Sequence, residues 1–283
     1  MDRRTLLRTA LALPAAALPA TASAAPEATP ATPGIIDCNV WLDEHPCREL
    51  PWHGTQAIAG HLRDQGVAAA WASTFDLILH KDLASANARL ATECQSTQGL
   101  VKPVGAINPR LPGWRHDIDL CAGSHGMKAI RLLPNYHGYK LDDPLFAEVV
   151  EAATERHLLV QVVAQMEDER TQHPLLRAAP VNLKPLAEVT QRQPQARVMV
   201  LNASRAMSMT SLHAGSVWLE IAMLEGVGGI EGLLKDWPLE KLVFGSHAPF
   251  FCWRSAQLKL LESELSVEQM KAITAGNAAA LAV

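Results

Sequence analysis

Short apolar runs alternate with amphipathic segments from residue 34 to the end of the chain. Each run is short enough to form one strand, and each is followed by a segment whose apolar residues recur at helical spacing. A parallel sheet that helices cover on both faces produces this pattern. Eight such runs are present, at 34–40, 67–74, 100–109, 127–134, 158–165, 196–202, 216–223 and 241–247.

Eight strand–helix units in about 250 residues predict an α/β fold, namely a single (β/α)8 TIM barrel over 34–283. An open, doubly wound sheet is the alternative fold. That fold usually carries a glycine-rich phosphate-binding turn after its first strand, and the sequence has none there.

The N-terminus differs from the rest of the chain. Residues 1–24 carry Arg3 and Arg4, then a short apolar stretch, and end in the small residues Ala22-Ser23-Ala24. This order is typical of a cleaved signal peptide, and the arginine pair resembles a twin-arginine signal. An uncleaved anchor is the alternative. Residues 25–33 are rich in Pro, Ala and Thr and are interpreted as a linker, so the sequence predicts export to a periplasm.

Composition limits the classes of binding partner that are expected for this chain. The net charge is −4 and no basic run follows the signal, so the chain gives no indication of nucleic-acid or membrane binding after signal cleavage. The five cysteines form no CxxC pair, which leaves any disulfide pairing open. The sequence favours a small-molecule substrate or ligand and leaves the oligomeric state open.

The active site of a TIM barrel lies at the C-terminal ends of its strands. His247, Glu220 and Asp37 fall at such ends and are the predicted catalytic residues. His247 would act as a general base if Asp37 or Glu220 set its tautomer. The alternative is a neutral histidine that bonds to a loop carbonyl.

Further polar and aromatic residues near strand ends are predicted to contact the substrate. Period two along the first strand places Asp37, Asn39 and Trp41 on one face. Arg131 would bind a carboxylate, or else form a salt bridge with Asp37 or Glu220. The full predicted substrate-binding set is Asn39, Trp41, Arg131, His137, Tyr139, Gln161 and Asn202. For His137 and Tyr139 an ordinary ordered turn is the alternative.

Four segments resemble the amidohydrolase superfamily, in particular its amidohydrolase-2 branch. They are residues 35–41, 126–132, 242–249 and 276–281, in the order and spacing expected along one barrel. The resemblance implies a TIM barrel that hydrolyses or decarboxylates a small organic acid, lactone or amide, with a divalent metal held by histidines and an aspartate.

The sequence departs from that pattern at the metal ligands that the resemblance implies. Asn39 and Trp41 stand where the first-strand motif D-x-H-x-H has its histidines, and Val163, Asn202 and His247 stand at the other three positions. Indole, valine and carboxamide are poor ligands for zinc. The sequence therefore predicts no metal and no cofactor, although Asp37, Asn202 and His247 could form a weak divalent site.

Two functions follow as hypotheses. The first is an exported hydrolase or decarboxylase that uses metal-independent acid–base chemistry. The second is a catalytically inactive barrel that binds a ligand.

Overall fold

The computed structural model describes residues 34–204, 207, 212 and 217–283. The predicted signal peptide (1–24) and linker (25–33) lie outside the described residues. The described residues all belong to one compact unit.

The strands follow the eight predicted runs, and every described pair is parallel. The third run is divided at Val104 into two strands. The strands are β1 (Ile35–Leu42), β2 (Val67–Thr74), β3 (Val101–Pro103), β4 (Gly105–Ala106), β5 (Ala129–Leu132), β6 (Leu159–Val163), β7 (Arg197–Leu201), β8 (Val217–Glu220) and β9 (Leu242–Val243).

The strands form two sheets, of order β1-β2-β3 and β4-β5-β6-β7-β8-β9. Backbone hydrogen bonds connect the sheets on both sides. The Val104 amide donates to the Ala72 carbonyl at 2.7 Å, and the Trp41 amide donates to the Ala248 carbonyl at 2.8 Å. These bonds hold the sheets in the arrangement of a TIM barrel.

Helices follow the strands, as the alternating pattern predicts. Asp82 and Asp143 begin two of them by accepting a backbone N–H of the first helical turn, from Ser85 and Leu145 respectively, which is what an N-cap residue does. The helices are α1 (Thr55–Asp64), α2 (Leu83–Gln95), α3 (Trp114–Ala122), α4 (Pro134–His137), α5 (Pro144–Glu155), α6 (Pro185–Arg192), α7 (Gly229–Leu234), α8 (Trp253–Leu261), α9 (Val267–Lys271) and α10 (Asn277–Ala279).

Alternate strand residues divide the core into two clusters. Leu159 and Val163 of β6 belong to the inner cluster, whereas Val160 and Val162 belong to the cluster that packs under the helices. This is the period-two division expected of strands that are buried on both faces.

The first strand breaks this period. Its register against β2 shifts between Asp37 and Val40, and both Cys38 and Trp41 belong to the inner cluster. The prediction that Asp37, Asn39 and Trp41 share one face was therefore wrong. An irregularity of one residue moves every later side chain to the other face.

No helix among the described residues is both long and apolar enough to cross a membrane.

Candidate active site at the strand ends

His247 lies four residues after β9 and is completely buried. Its Nδ1 accepts a hydrogen bond from Trp41 Nε1 at 3.1 Å, and its Nε2 lies 2.9 Å from the Met166 carbonyl oxygen. Because indole only donates and a carbonyl only accepts, the ring is the neutral tautomer protonated at Nε2. Burial lowers the pKa of His247 to about 3.

This geometry corrects one prediction. Neither Asp37 nor Glu220 orients the His247 ring, and the Met166 carbonyl does so instead. The arrangement matches the alternative of a neutral histidine bonded to a loop carbonyl.

Asn39, Asn202 and Glu220 meet beside His247. Asn39 Nδ2 donates to Asn202 Oδ1 at 2.8 Å and lies 3.4 Å from Glu220 Oε1. Asn202 Nδ2 in turn donates to the Gln165 carbonyl at 2.8 Å. Asn39 Oδ1, in contrast, is buried and has no hydrogen-bond partner among the described residues. These three side chains therefore form a paired polar group in which the Asn39 carbonyl oxygen is an open acceptor.

The backbone at these strand ends is itself unusual. Asn202 and His247 both adopt left-handed conformations, with φ of 57° and 58°. Residues other than glycine seldom adopt this backbone conformation, although Asn and His adopt it more readily than most. Such residues cluster at functional sites.

Glu220 is held by the backbone amides of Asn202 and Ala222. Burial raises the pKa of Glu220, and the two amide N–H groups oppose that rise. Gly245 makes room for this carboxylate, since a Cβ at that position would lie 2.5 Å from Glu220 Oε2.

Asp37 connects β1 to the segment after β9 and to α8. It accepts hydrogen bonds from the Ser246 hydroxyl at 2.6 Å and from Trp253 Nε1 of α8 at 3.0 Å. The amides of Asn39 and Ser246 donate to it as well. Burial nevertheless raises the pKa of Asp37 to about 7.

Arg131 and Gln161 form a buried layer inside the barrel. Arg131 donates to Gln161 Oε1 at 2.8 Å and to the Val40 carbonyl at 2.9 Å, and Gln161 Nε2 donates to the Cys38 carbonyl. The guanidinium also lies 4.6 Å from the centre of the Trp41 ring. The alternative of an ion pair is not found, since Arg131 has none with Asp37 or Glu220 among the described residues. The donors of Arg131 are instead engaged within the barrel.

His137 and Tyr139 lie on α4 and just after it. His137 Nε2 bonds to the Leu77 carbonyl at 2.8 Å, and burial lowers the pKa of His137. The Tyr139 hydroxyl is buried without a partner among the described residues, and its pKa is raised by burial. The structure does not place these two side chains in the hydrogen-bonded group around His247.

An aromatic layer covers His247. The ring of Phe250 lies 5.1 Å from that of His247 and the ring of Phe251 lies 4.8 Å away, both measured between centroids. Arg48 lies over Phe250 and pairs with Glu167 at 2.6 Å. The imidazole beneath these rings is completely buried.

Sequence reasoning missed two kinds of residue here. Met166 bonds to His247 through its backbone carbonyl, and such a contact cannot be predicted from the type of side chain. The aromatic cover did have a signal, because Phe250 and Phe251 directly follow the His247 motif in the sequence.

Comparison with solved structures finds the same fold in enzymes that act on small molecules. A dihydroxybenzoic acid decarboxylase from Polaromonas is 12% identical with a TM-score of 0.70, and the match covers 88% of this chain and 96% of that one. A 5-carboxyvanillate decarboxylase from Novosphingobium aromaticivorans is 13% identical with a TM-score of 0.65, covering 87% and 95%. A probable 2-pyrone-4,6-dicarboxylic acid hydrolase from Acinetobacter baumannii is 12% identical with a TM-score of 0.61, covering 88% and 98%. At these identities the likeness shows the fold alone.

The prediction that no cofactor is involved was wrong for this fold. Both decarboxylases were crystallised with bound manganese, which indicates a metal cofactor. The described residues of this chain, however, contain no group of three or more His, Cys, Asp or Glu side chains that could hold a metal ion. The open Asn39 Oδ1 is one neutral oxygen, whereas His247 and Asp37 already use their lone pairs within the protein. These donors do not fit a divalent ion in this arrangement.

No curated protein sequence matches the chain. The sequence model described as amidohydrolase matches residues 64–281, which is most of the chain and includes β2 to β9. The match agrees with the parallel strand order and with the fold of the solved relatives. The chain therefore belongs to the amidohydrolase family.

Proposed function

We propose that the protein is an enzyme of hydrolase or decarboxylase type that converts a small organic acid, lactone or amide at the ends of β1, β7 and β8. The observation that carries this proposal is the open carboxamide oxygen of Asn39, which is completely buried and unpaired among the described residues. Buried acceptors nearly always find a donor. A hydroxyl or N–H group of a substrate, or a water that reacts with it, would supply that donor.

Glu220 is the group best suited to move a proton there. Its Oε1 lies 3.4 Å from Asn39 Nδ2, and burial raises the pKa of its carboxyl. A carboxyl with a raised pKa exchanges its proton closer to neutral pH, which suits general acid–base chemistry. His247 is less suited to that role, because its pKa of about 3 keeps the ring neutral and Trp41 occupies its Nδ1 lone pair.

The experiment is a turnover assay of the purified protein on hydroxybenzoates, six-membered lactones and aryl amides, with and without added manganese. We expect one class to be converted and Glu220→Gln to lower kcat by about 10²- to 10⁴-fold, the usual contribution of a general acid or base. Glu240→Gln is the matched control, because Glu240 is exposed on the turn before β9.

Glu220 also accepts two backbone hydrogen bonds, so its variant is checked for folding by circular dichroism and urea unfolding. Asn39→Leu is the second variant, since it removes the open acceptor, together with the Nδ2 donor to Asn202, and keeps the Glu220 carboxyl. It is checked for folding in the same way. Full activity in both folded variants would contradict the proposal.

A second function is favoured by a separate observation. Both ring nitrogens of His247 are engaged and most of the surrounding donors are paired, as expected of a barrel that binds a ligand without converting it. In that case compounds bind and are recovered unchanged, with or without manganese.

A further inference from the structure

A cavity of about 320 Å³ lies between the segment after β5 and the segment after β6. Its described lining comes from residues 135–142 and 180–185, two stretches that the structure describes without a gap. Asn135 joins the two stretches, since its Nδ2 donates to the Ala179 carbonyl at 3.1 Å. None of the residues described around His247 is part of this lining, so the cavity is separate from the candidate active site.

Tyr139 is the residue of the lining that indicates a ligand. It is only 5% exposed, and its hydroxyl oxygen is buried without a hydrogen-bond partner among the described residues. A hydroxyl can both donate and accept, and buried polar groups nearly always find a partner because leaving them unpaired costs free energy. A molecule in the cavity would supply the partner that the described residues do not.

Charged side chains of both signs stand at the rim of the cavity. Burial alternates along this stretch, because Tyr139 and Leu141 are buried whereas Lys140 and Asp142 are exposed. Neither Lys140 nor Asp142 forms an ion pair or a side-chain hydrogen bond with another described residue. The next carboxylate, that of Asp143, is engaged as the cap of α5. The rim therefore offers one ammonium and one carboxylate, both unpaired within the described part of the chain.

Apolar side chains form much of the remaining wall. Leu141 and Val181 are 1% and 9% exposed, and Pro180 and Pro185 complete this part of the lining. Apolar walls with a few placed polar groups are typical of small-molecule sites, and the volume falls within their usual range. A ligand with a single charge would leave one of the two rim charges unpaired. A molecule that carries both charges would pair each of them.

We infer that this cavity binds a small zwitterion of the amino-acid type with an apolar side chain. The carboxylate of the ligand accepts a hydrogen bond from the Tyr139 hydroxyl and faces Lys140, whereas its ammonium faces Asp142. A hydrogen bond to a carboxylate is charge-assisted and therefore stronger than one between neutral groups. The site is independent of the proposed function, because it shares no residue with the group around His247.

The test compares L-leucine, 4-methylpentanoate and 3-methylbutylamine, which share one apolar body. Leucine carries both charges at neutral pH, the second compound lacks the ammonium and the third lacks the carboxylate. Titration calorimetry of the full-length protein at low ionic strength measures the three affinities. We expect leucine to bind about two- to fivefold more tightly than 4-methylpentanoate, which loses one exposed charge pair. It should bind at least about tenfold more tightly than 3-methylbutylamine, which also loses the hydrogen bond to Tyr139.

Nuclear magnetic resonance locates the bound probe. The chain contains only two tyrosines, Tyr136 and Tyr139, and Tyr136 is not part of the lining. Protein labelled with carbon-13 in the tyrosine rings therefore carries one reporter in the cavity wall and one outside it. We expect leucine to shift the Tyr139 signals and to leave the Tyr136 signals in place.

Three variants separate the contacts. Tyr139→Phe removes a hydroxyl that has no described partner, so the fold should be retained while leucine and 4-methylpentanoate bind about tenfold more weakly. Lys140→Met should weaken the same two probes about two- to threefold, and Asp142→Asn should weaken leucine and 3-methylbutylamine by a similar factor, as expected for exposed charges. The matched control Tyr136→Phe should change none of the three affinities.

Tyr139 signals that none of the probes shifts would mean that the cavity holds water only, and the inference would be overturned. Equal affinities for the three probes, or leucine binding that Tyr139→Phe leaves unchanged, would overturn it as well. The shifts in the unmodified protein and the two variants at the exposed rim keep the test decisive even if Tyr139→Phe were unstable. None of these measurements needs turnover, so their result stands apart from the proposed function.

Discussion

The hydrogen bond from Trp41 Nε1 to His247 Nδ1 joins the end of β1 to the segment after β9. Trp41→Phe keeps an aromatic ring but leaves a buried imidazole nitrogen unpaired, which costs about 1–3 kcal/mol. We expect it to lower the free energy of unfolding by about that much more than Trp71→Phe does. Trp71 is a fair control because it is also buried, whereas the bond to His247 Nδ1 comes from Trp41. Equal losses in urea unfolding would contradict the role of this bond.

Two buried groups respond to pH in opposite directions. Burial lowers the pKa of His247 from 6.5 to about 3 and raises that of Asp37 from 3.8 to about 7. Below pH 6.5 the unfolded chain binds more protons at His247, so stability falls with falling pH. Between pH 3.8 and 7 the folded chain binds more protons at Asp37, so stability rises with falling pH. The two effects oppose each other from about pH 4 to 6.5.

The variant Asp37→Asn removes only the second effect. Relative to the wild type, its free energy of unfolding should rise with pH by about 1.4 kcal/mol per pH unit between about pH 4 and 6.5. Urea unfolding across this range measures the difference, with Asp142→Asn as an exposed control. A flat difference would mean that the hydrogen bonds from Ser246 and Trp253 keep Asp37 ionised throughout.

Residue type and position at a strand end predicted which residues belong to the buried group. They did not predict which of these residues form hydrogen bonds with each other. Asn39, Trp41, Asn202 and Glu220 do lie around His247. Their pairing could not be predicted, because a shift of one residue in β1 decides which side chains face inward, and alternation alone gives no sign of the shift.

At the scale of single elements, the start of α5 offers a direct test. Asp143 Oδ1 accepts from the Leu145 amide at 2.9 Å, and Pro144 occupies the first helical position. Asp143→Ala should lower the free energy of unfolding by about 1 kcal/mol relative to Asp142→Ala, because both lose one charge but only the first loses a cap. Thermal or urea unfolding of the pair measures this difference. If the two variants were equally stable, the cap would contribute nothing.

The apolar pattern predicted the order of the elements and missed local breaks. Each of the eight runs contains a strand, yet Val104 divides the third run, since its amide bonds back to Ala72 of β2. Residues 134–137 form the single-turn helix α4, which Gly138 ends in a left-handed conformation (φ 68°), whereas the apolar pattern placed residue 134 in the fourth run and left an ordered turn as the alternative for His137. Hydrophobic periodicity indicates elements of several residues, but it does not indicate a break that depends on a single hydrogen bond or a single turn.

For the molecule as a whole, the sequence predicted the TIM barrel and the family, and both are confirmed by the matches. It also predicted that no cofactor is used, and the manganese-bound relatives contradict that prediction. The contradiction comes from the relatives and not from the side chains of this chain, whose described residues bring together no group of three or more His, Cys, Asp or Glu that could hold a metal ion. One fold supports different chemistries, so replaced ligand positions alone could not predict whether a cofactor is used.

The whole chain carries one further prediction, that of export. Residues 1–24 combine Arg3 and Arg4 with a short apolar stretch and a small-residue end, the order read by bacterial export machinery. We expect protein from the periplasmic fraction to have the intact mass of a chain that begins at Ala25. The double variant Arg3→Lys, Arg4→Lys should stay in the cytoplasm at full length, because a twin-arginine signal needs both guanidinium groups, whereas the control Arg8→Lys should be exported. Periplasmic protein that keeps Met1, or unchanged export of the double variant, would show that this segment is not a cleaved twin-arginine signal.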